Sequence, residues 1–292
     1  MVLLRDRLLA RLRTMGAAPD YPRLAAEVLG IRNAPEALAK RLVEQALVLE
    51  DRRDTWLRTG ERICERAPQA PGVYVLRDAD GGALYVGKAN NIKRRLRTHF
   101  APRRWRQLKA EFARAVDAEW HEVGSEVEAL LLEARLIRDL APAANVQVAL
   151  PALDTRAVPA SIVRDALVVV PSVEDGAVEL LAVRSSGAVL MRRVRRDGGG
   201  LSTSAAVLKR FFVSAVPDLD TMGSERSFDG LAPLVFSWLA GRGAAATRLD
   251  PHDVSSAVEL QRRLKTVLKD DRLFTERIVV IRSVVRSTPP RP

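Results

Sequence analysis

The stretch that decides the fold is residues 71–100, PGVYVLRDADGGALYVGKANNIKRRLRTHF. Two short segments rich in β-branched and aromatic residues, GVYVL and ALYVG, flank Asp80-Gly81-Gly82. Glycine supplies the positive φ angles that a tight turn needs, so the pattern predicts an antiparallel hairpin. Side chains alternate between the two faces of a strand, and the turn then places Tyr85 on the same face of the hairpin as Tyr74.

These two tyrosines make the hairpin unusual. The chain has three tyrosines in 292 residues, and two of them share this one face. A pair of rings that caps a small core is the structural alternative. The strongly basic segment directly after the hairpin favours a functional role for the pair.

A basic helix is predicted directly after the hairpin, from about Asn91. It carries Ile92, Leu96 and Phe100 at helical spacing on its inner side, with Arg95 and His99 four residues apart on the adjoining edge. From residue 81 to residue 110 the sequence has nine Lys or Arg and no Asp or Glu, a concentration that suits a surface facing phosphates. The residues that we expect to contact DNA are Lys93, Arg94, Arg97, His99, Arg103, Arg104, Arg106 and Lys109.

A second helix is predicted over SEVEALLLEARLIRDLAP, residues 125–142, between the capping box Ser125 to Glu128 and Pro142. Its unusual residue is Glu133, whose neighbours three and four positions away are all apolar. A carboxylate in such a place costs several kcal/mol unless a cation compensates it. A divalent metal would do so, and a purely architectural pair with Arg95 is the alternative.

These residues resemble the GIY-YIG nuclease family, and within it the branch of UvrC and Cho. The similarity covers about a quarter of the chain, GVY at 72–74, YVG at 85–87 and the residues around Glu133. It implies a small antiparallel sheet flanked by helices. By this resemblance the catalytic residues are Tyr74, Tyr85, Lys88, Arg95, Glu133 and Asn145, and Glu133 holds one Mg²⁺ or Mn²⁺. Which tyrosine takes the proton stays open. His99 departs from the Tyr or Phe expected at its position, and we assign it to phosphate contact, with proton transfer as the alternative.

The whole chain is predicted to be an α+β protein of several domains. Residues 1–66 read as three helices followed by a strand pair around Asp51 to Asp54, the order of a winged helix-turn-helix domain. Residues 67–149 would form the GIY-YIG nuclease domain. Residues 160–288 read as an α+β accessory domain of unknown role, with three strands followed by helices and a closing strand.

Composition narrows the setting in which the protein works. No apolar run reaches the 18 or more residues typical of a membrane span, and a single cysteine excludes an internal disulfide. We therefore expect a cytoplasmic protein that acts on DNA and does not associate with a membrane.

Three functions fit the pattern. The first is a metal-dependent, structure-specific endonuclease that incises one strand of damaged duplex DNA in nucleotide excision repair, with other repair proteins loading it. The second is a GIY-YIG nuclease of restriction, recombination or a mobile element. The third is a catalytically silent DNA-binding scaffold.

Overall fold

The computed structural model describes residues 4–16, 19–102, 112–145, 158–218 and 227–275, with the backbone alone at 48–52 and 274–275. The chain begins with three helices, of which the second passes into a π-helical turn at Ala25–Leu29. Leu8, Leu24 and Val43 form a small core between them. Their bounds are α1 (Leu4–Met15), α2 (Tyr21–Leu24) and α3 (Glu36–Arg66).

The prediction of a strand pair around Asp51 to Asp54 is wrong. Without this pair the N-terminal segment has no wing at the predicted position. The segment lies inside α3, which runs for 31 residues without a break. The reason is packing that is remote in sequence, because the second half of α3 buries Trp56 and Ile63 against the sheet that comes next in the chain. Gly60 allows this contact, since a Cβ there would lie 2.5 Å from the Cβ of Phe100.

The predicted hairpin is confirmed as β1 (Gly72–Arg77) and β2 (Ala83–Ala89). Leu76 pairs with Tyr85 and Tyr74 with Gly87, so the two tyrosines do share a face. A third strand, β3 (Asp117–Glu122), pairs antiparallel with β1 and gives the strand order β2-β1-β3. The small antiparallel sheet predicted for this segment is therefore present.

Two helices flank this sheet, one on each face. The basic helix α4 (Ile92–His99) is capped by Asn91, whose side chain accepts from the Arg94 backbone N–H at 2.8 Å. The longer helix α5 (Glu126–Leu140) is capped by Ser125, as its capping box predicts. The buried valines of β1 and β2 face α5, whereas the tyrosines face α3 and α4.

A second sheet lies further along the chain, with the strand order β6-β5-β4-β7, all antiparallel. Its three long strands were predicted, whereas the three-residue β7 was not. The first residues of the expected closing strand form the helical turn α9, and the rest of that strand lies outside the described residues. The bounds are β4 (Ala166–Pro171), β5 (Ala177–Val183), β6 (Val189–Arg195), α6 (Leu201–Val213), α7 (Ala232–Ala240), β7 (Thr247–Leu249), α8 (Ala257–Val267) and α9 (Arg272–Thr275).

Helix α5 is shared by the two sheets. Ala129, Leu132 and Leu136 pack on the first sheet. Val127 and Leu131 are instead fully buried in the core formed by the second sheet and α7. Helices α6 and α8 cover the other face of the second sheet. No helix in the described ranges is long and apolar enough to cross a membrane.

Candidate active site

Tyr74 and Tyr85 form the centre of the site on the face of the first sheet opposite α5. Their ring centroids are 6.0 Å apart. Gly87 lies beside both rings, where an added Cβ would be 2.7 Å from Tyr85 Cε1 and 2.8 Å from the Tyr74 hydroxyl oxygen. The YVG sequence therefore needs its glycine for close approach of the two phenols.

His99 completes the aromatic cluster from the last turn of α4. Its Nε2 lies 2.7 Å from the Tyr74 hydroxyl oxygen, and its ring lies 5.6 Å from that of Tyr85. Phe112 stacks on the imidazole at 5.7 Å and touches Tyr85. Sequence reasoning missed Phe112, since its position in the chain carries no motif. The expectation that His99 faces phosphate at the surface gives way to a direct bond to a phenol.

Burial sets the protonation of Tyr74, whose side chain is fully buried. Burial raises the pKa of this phenol well above its usual range, the neighbouring Tyr85 raises it further, and Arg95 opposes them. The phenol therefore holds its proton at neutral pH and shares a hydrogen bond with His99 Nε2 at 2.7 Å. The cations do not by themselves make Tyr74 a phenolate.

Arg95 lies one turn before His99 on α4 and its guanidinium faces both phenols. Burial lowers the pKa of this guanidinium, but Tyr74 and Tyr85 outweigh burial and raise it. Arg95 therefore stays charged although it is half-buried. It brings a fixed positive charge to the tyrosines.

Glu133 approaches the outer edge of β2 from α5. Its Oε1 accepts from the Lys88 backbone N–H at 3.0 Å, and its Oε2 accepts from Lys88 Nζ at 2.5 Å. The side chain of Glu133 is 19% exposed and that of Lys88 is 24% exposed. The cation that compensates the carboxylate is therefore Lys88, and the alternative pair with Arg95 is wrong. The Glu133 charge still acts on Tyr74, since it raises the pKa of that phenol.

Asn145 binds the same edge of β2 as Glu133, at Val86, two residues before Lys88. Its Oδ1 accepts from the Val86 N–H at 2.8 Å, and its Nδ2 donates to the Val86 carbonyl at 2.9 Å. Side chains thus occupy the outward backbone groups of Val86 and the outward N–H of Lys88. This arrangement fixes the segment between Tyr85 and Lys88.

The predicted DNA-contacting residues separate into four groups. Arg94 and Arg97 are exposed on α4, whereas Lys93 donates from Nζ to the Glu65 carbonyl at 3.2 Å. His99 belongs to the tyrosine cluster. The remaining four, Arg103, Arg104, Arg106 and Lys109, lie outside the described residues.

One carboxylate dominates the oxygen donors at this site. No cluster of three or more His, Cys, Asp or Glu that could hold a metal ion occurs in the parts of the chain that the structure describes. Mg²⁺ and Mn²⁺ are hard cations that take one or two carboxylates and keep several waters. A half-buried carboxylate that already attracts an ammonium group fits such an ion.

Residues 70–146 match the family model of the UvrC-like GIY-YIG domain. Curated relatives include UvrABC system protein C of Desulforudis audaxviator, 44% identical over 79 residues, which are 27% of this chain and 13% of the relative. The same protein of Nitrobacter winogradskyi is 34% identical over 130 residues, 44% of this chain and 16% of the relative.

Among solved structures, the magnesium-bound N-terminal endonuclease domain of UvrC from Thermotoga maritima is 32% identical. The match covers 30% of this chain and 96% of that one, with a TM-score of 0.26. The chain spans only 12–16% of the length of the curated relatives that it matches.

Proposed function

We propose that this chain, whose residues 70–146 form a UvrC-like GIY-YIG domain, is a divalent-metal-dependent DNA endonuclease that incises one strand during nucleotide excision repair. One observation carries this function. A phenol of β1 is hydrogen-bonded to a histidine of α4, an arginine of α4 faces the same phenol, and a half-buried carboxylate of α5 binds the edge of the paired strand β2. Hydrolysis of a phosphodiester needs these groups, namely a proton acceptor for water and charges that stabilise the phosphate.

Tyr74 and His99 supply the proton acceptor. The phenol takes the proton of the attacking water as it passes its own proton to His99 Nε2, so no free phenolate has to form. The bond from the water oxygen to phosphorus then forms, the bond from phosphorus to the 3′ oxygen breaks, and the 3′ oxygen takes a proton from solvent. This assignment makes Tyr74 the base and leaves Tyr85 to position the water, and it requires the aromatic cluster to open to one water when DNA binds, because Tyr74 is fully buried in the free chain.

Arg95 and Lys88 act on the phosphate oxygens. Arg95 faces the tyrosines and is held in place because it is half-buried between α4 and the sheet. Glu133 would hold one Mg²⁺ or Mn²⁺, which supplies further charge neutralisation at the phosphate. Asn145 positions β2 through its two bonds to Val86 and does not itself touch the substrate.

The DNA strand would enter along α4. Arg94 and Arg97 point to solvent on the helix whose next turn carries His99, so a backbone bound there leads to the tyrosines. Arg103, Arg104, Arg106 and Lys109 would extend this surface. We expect the substrate to be damaged duplex, presented by separate repair proteins that load the nuclease at the lesion.

Nicking assays test this function. The full chain is incubated with a duplex that carries one bulky adduct and with the undamaged duplex, each with Mg²⁺ or with a chelator, and with a damage-loading partner. We expect single-strand nicks that require Mg²⁺ and that form faster on the damaged duplex. Intact DNA binding without cleavage under any divalent metal would indicate the scaffold. Equal rates on both duplexes would indicate a GIY-YIG nuclease outside repair.

A further inference from the structure

The second sheet, β4 to β7, here called the C-terminal sheet, packs with helix α7 against α5, the helix that carries Glu133. Val127 and Leu131 of α5 are fully buried among side chains of β4, β5 and α7, and Ala134 packs beside them. Close to the end of α5, the Arg138 Nη1 donates to the Asp229 carbonyl at 3.0 Å. Residues far along the chain therefore form one whole side of the catalytic helix.

The start of α5 also lies close to the second sheet. A Cβ on Gly124 would lie 2.1 Å from the carbonyl carbon of Ser172, so the two backbones touch directly. This contact and the buried leucine fix the position of the helix axis. The bond from Arg138 to the Asp229 carbonyl opposes rotation near the C-terminal end of α5, and the N-terminal end needs a directional contact of its own, because the hydrophobic effect is non-directional.

An ion pair at the start of α5 supplies this directional contact. Glu126 is 4% exposed and pairs with Arg242 from the loop after α7. Glu126 precedes Glu133 by seven residues, which is about two helical turns and about 10 Å along the axis, so both carboxylates lie on one stripe of α5. Lys88, the partner of Glu133, also acts electrostatically on Glu126 and lowers its pKa, although burial raises that pKa overall.

We infer that Arg242 is a positioning residue for the metal-binding carboxylate, and that the C-terminal sheet is part of the catalytic unit. A rotation of α5 that moved Glu133 away from Lys88 would also pull Glu126 off Arg242. The arginine thus fixes the angle at which Glu133 meets the edge of β2. This inference rests on the proposed function, since it assigns the carboxylate to a metal.

Calorimetry measures the binding of Mn²⁺ to the full chain, and this readout does not depend on nicking. Arg242→Gln removes the charge at a half-exposed position and should weaken Mn²⁺ binding about 10-fold, as loss of supporting contacts does at other metal sites. The kcat for nicking at low metal should fall in parallel while KM for DNA is unchanged. Arg242→Lys keeps the charge and should restore most of the affinity.

Two further variants separate positioning from stability. Glu126→Gln should weaken Mn²⁺ binding like Arg242→Gln, and the double variant should lose no more than either single one, because the two residues act as a pair. Arg248→Ala is the matched control on β7, where the side chain donates only to the Ala244 carbonyl among the bonds described, and it should bind Mn²⁺ like the wild type.

The outcomes distinguish the two levels of the proposal. Wild-type Mn²⁺ affinity in a folded Arg242→Gln chain, or a melting temperature that falls without any change in Mn²⁺ binding, would overturn the inference and leave the nuclease function intact. A wild-type chain that neither binds Mn²⁺ nor nicks DNA would overturn the proposed function, and this inference with it.

Discussion

Gly87→Ala should inactivate the site with a single added methyl group. The new Cβ would lie 2.7 Å from Tyr85 Cε1 and 2.8 Å from the Tyr74 hydroxyl, whereas ordinary contact begins at 3.4 Å. The rings must therefore move by more than half an ångström. Tyr74 is fully buried and bonded to His99 at 2.7 Å, so a movement of this size along the bond lengthens it to about 3.3 Å, outside the usual range for an O–H donor.

We expect two effects of different size from this substitution. Overpacking should lower the free energy of unfolding by about 1–3 kcal/mol. Misplacement of a reacting group by a fraction of an ångström should slow nicking by about 100-fold. The rate of relaxation of a supercoiled plasmid with Mg²⁺ measures the second effect, and urea unfolding measures the first.

Gly81→Ala is the matched control for this variant. Gly81 has φ +80° in the hairpin turn, with nothing within 4 Å of an added Cβ. The strained backbone should cost about 1 kcal/mol of stability while the tyrosines stay in place. Nicking by Gly87→Ala that is no slower than nicking by Gly81→Ala would refute the role of the paired phenols.

Three other outcomes are expected at the site. His99→Phe keeps a ring but removes the acceptor of the Tyr74 proton, so nicking should slow by about 100-fold at unchanged DNA affinity, and a filter-binding assay beside the nicking assay checks both. Arg94→Ala with Arg97→Ala should reduce the slope of log affinity against log salt by about 2, whereas Arg262→Ala, an exposed change on α8, should not alter it. Because the pKa of Tyr74 is raised on folding, the unfolded chain releases this proton first, and stability should fall by about 1.4 kcal/mol per pH unit above about pH 10. Tyr74→Phe should lack that part of the loss in unfolding curves recorded between about pH 9 and about pH 11, and identical slopes would show that the phenol is not buried in this way.

Local signals in the sequence were sufficient for the first sheet and its helices. The Asp-Gly-Gly turn fixes the pairing of Leu76 with Tyr85, and side-chain caps at Asn91 and Ser125 begin the two helices where the pattern predicts them. Each of these features depends on residues close together in the chain. The positions of Arg95 and His99 result from the same helical spacing.

Features that depend on distant contacts could not be predicted in this way. The segment around Asp54 is helical because Trp56 and Ile63 find a core at Phe100, a residue about forty positions away. Phe112 joins the tyrosines through tertiary structure alone. The apolar environment of Glu133 was visible in the sequence, but its partner Lys88 is set by the approach of α5 to the edge of β2.

Glu133→Gln tests the central claim most directly, because the amide keeps the shape of the side chain and the acceptor for the Lys88 N–H while it removes the charge. Calorimetric titration with Mn²⁺ and a parallel nicking assay should show that the ion no longer binds and that cleavage falls by at least about 100-fold, with DNA affinity unchanged. Wild-type Mn²⁺ binding, or more than a few per cent of the nicking rate, would contradict the assignment of this carboxylate to a catalytic metal.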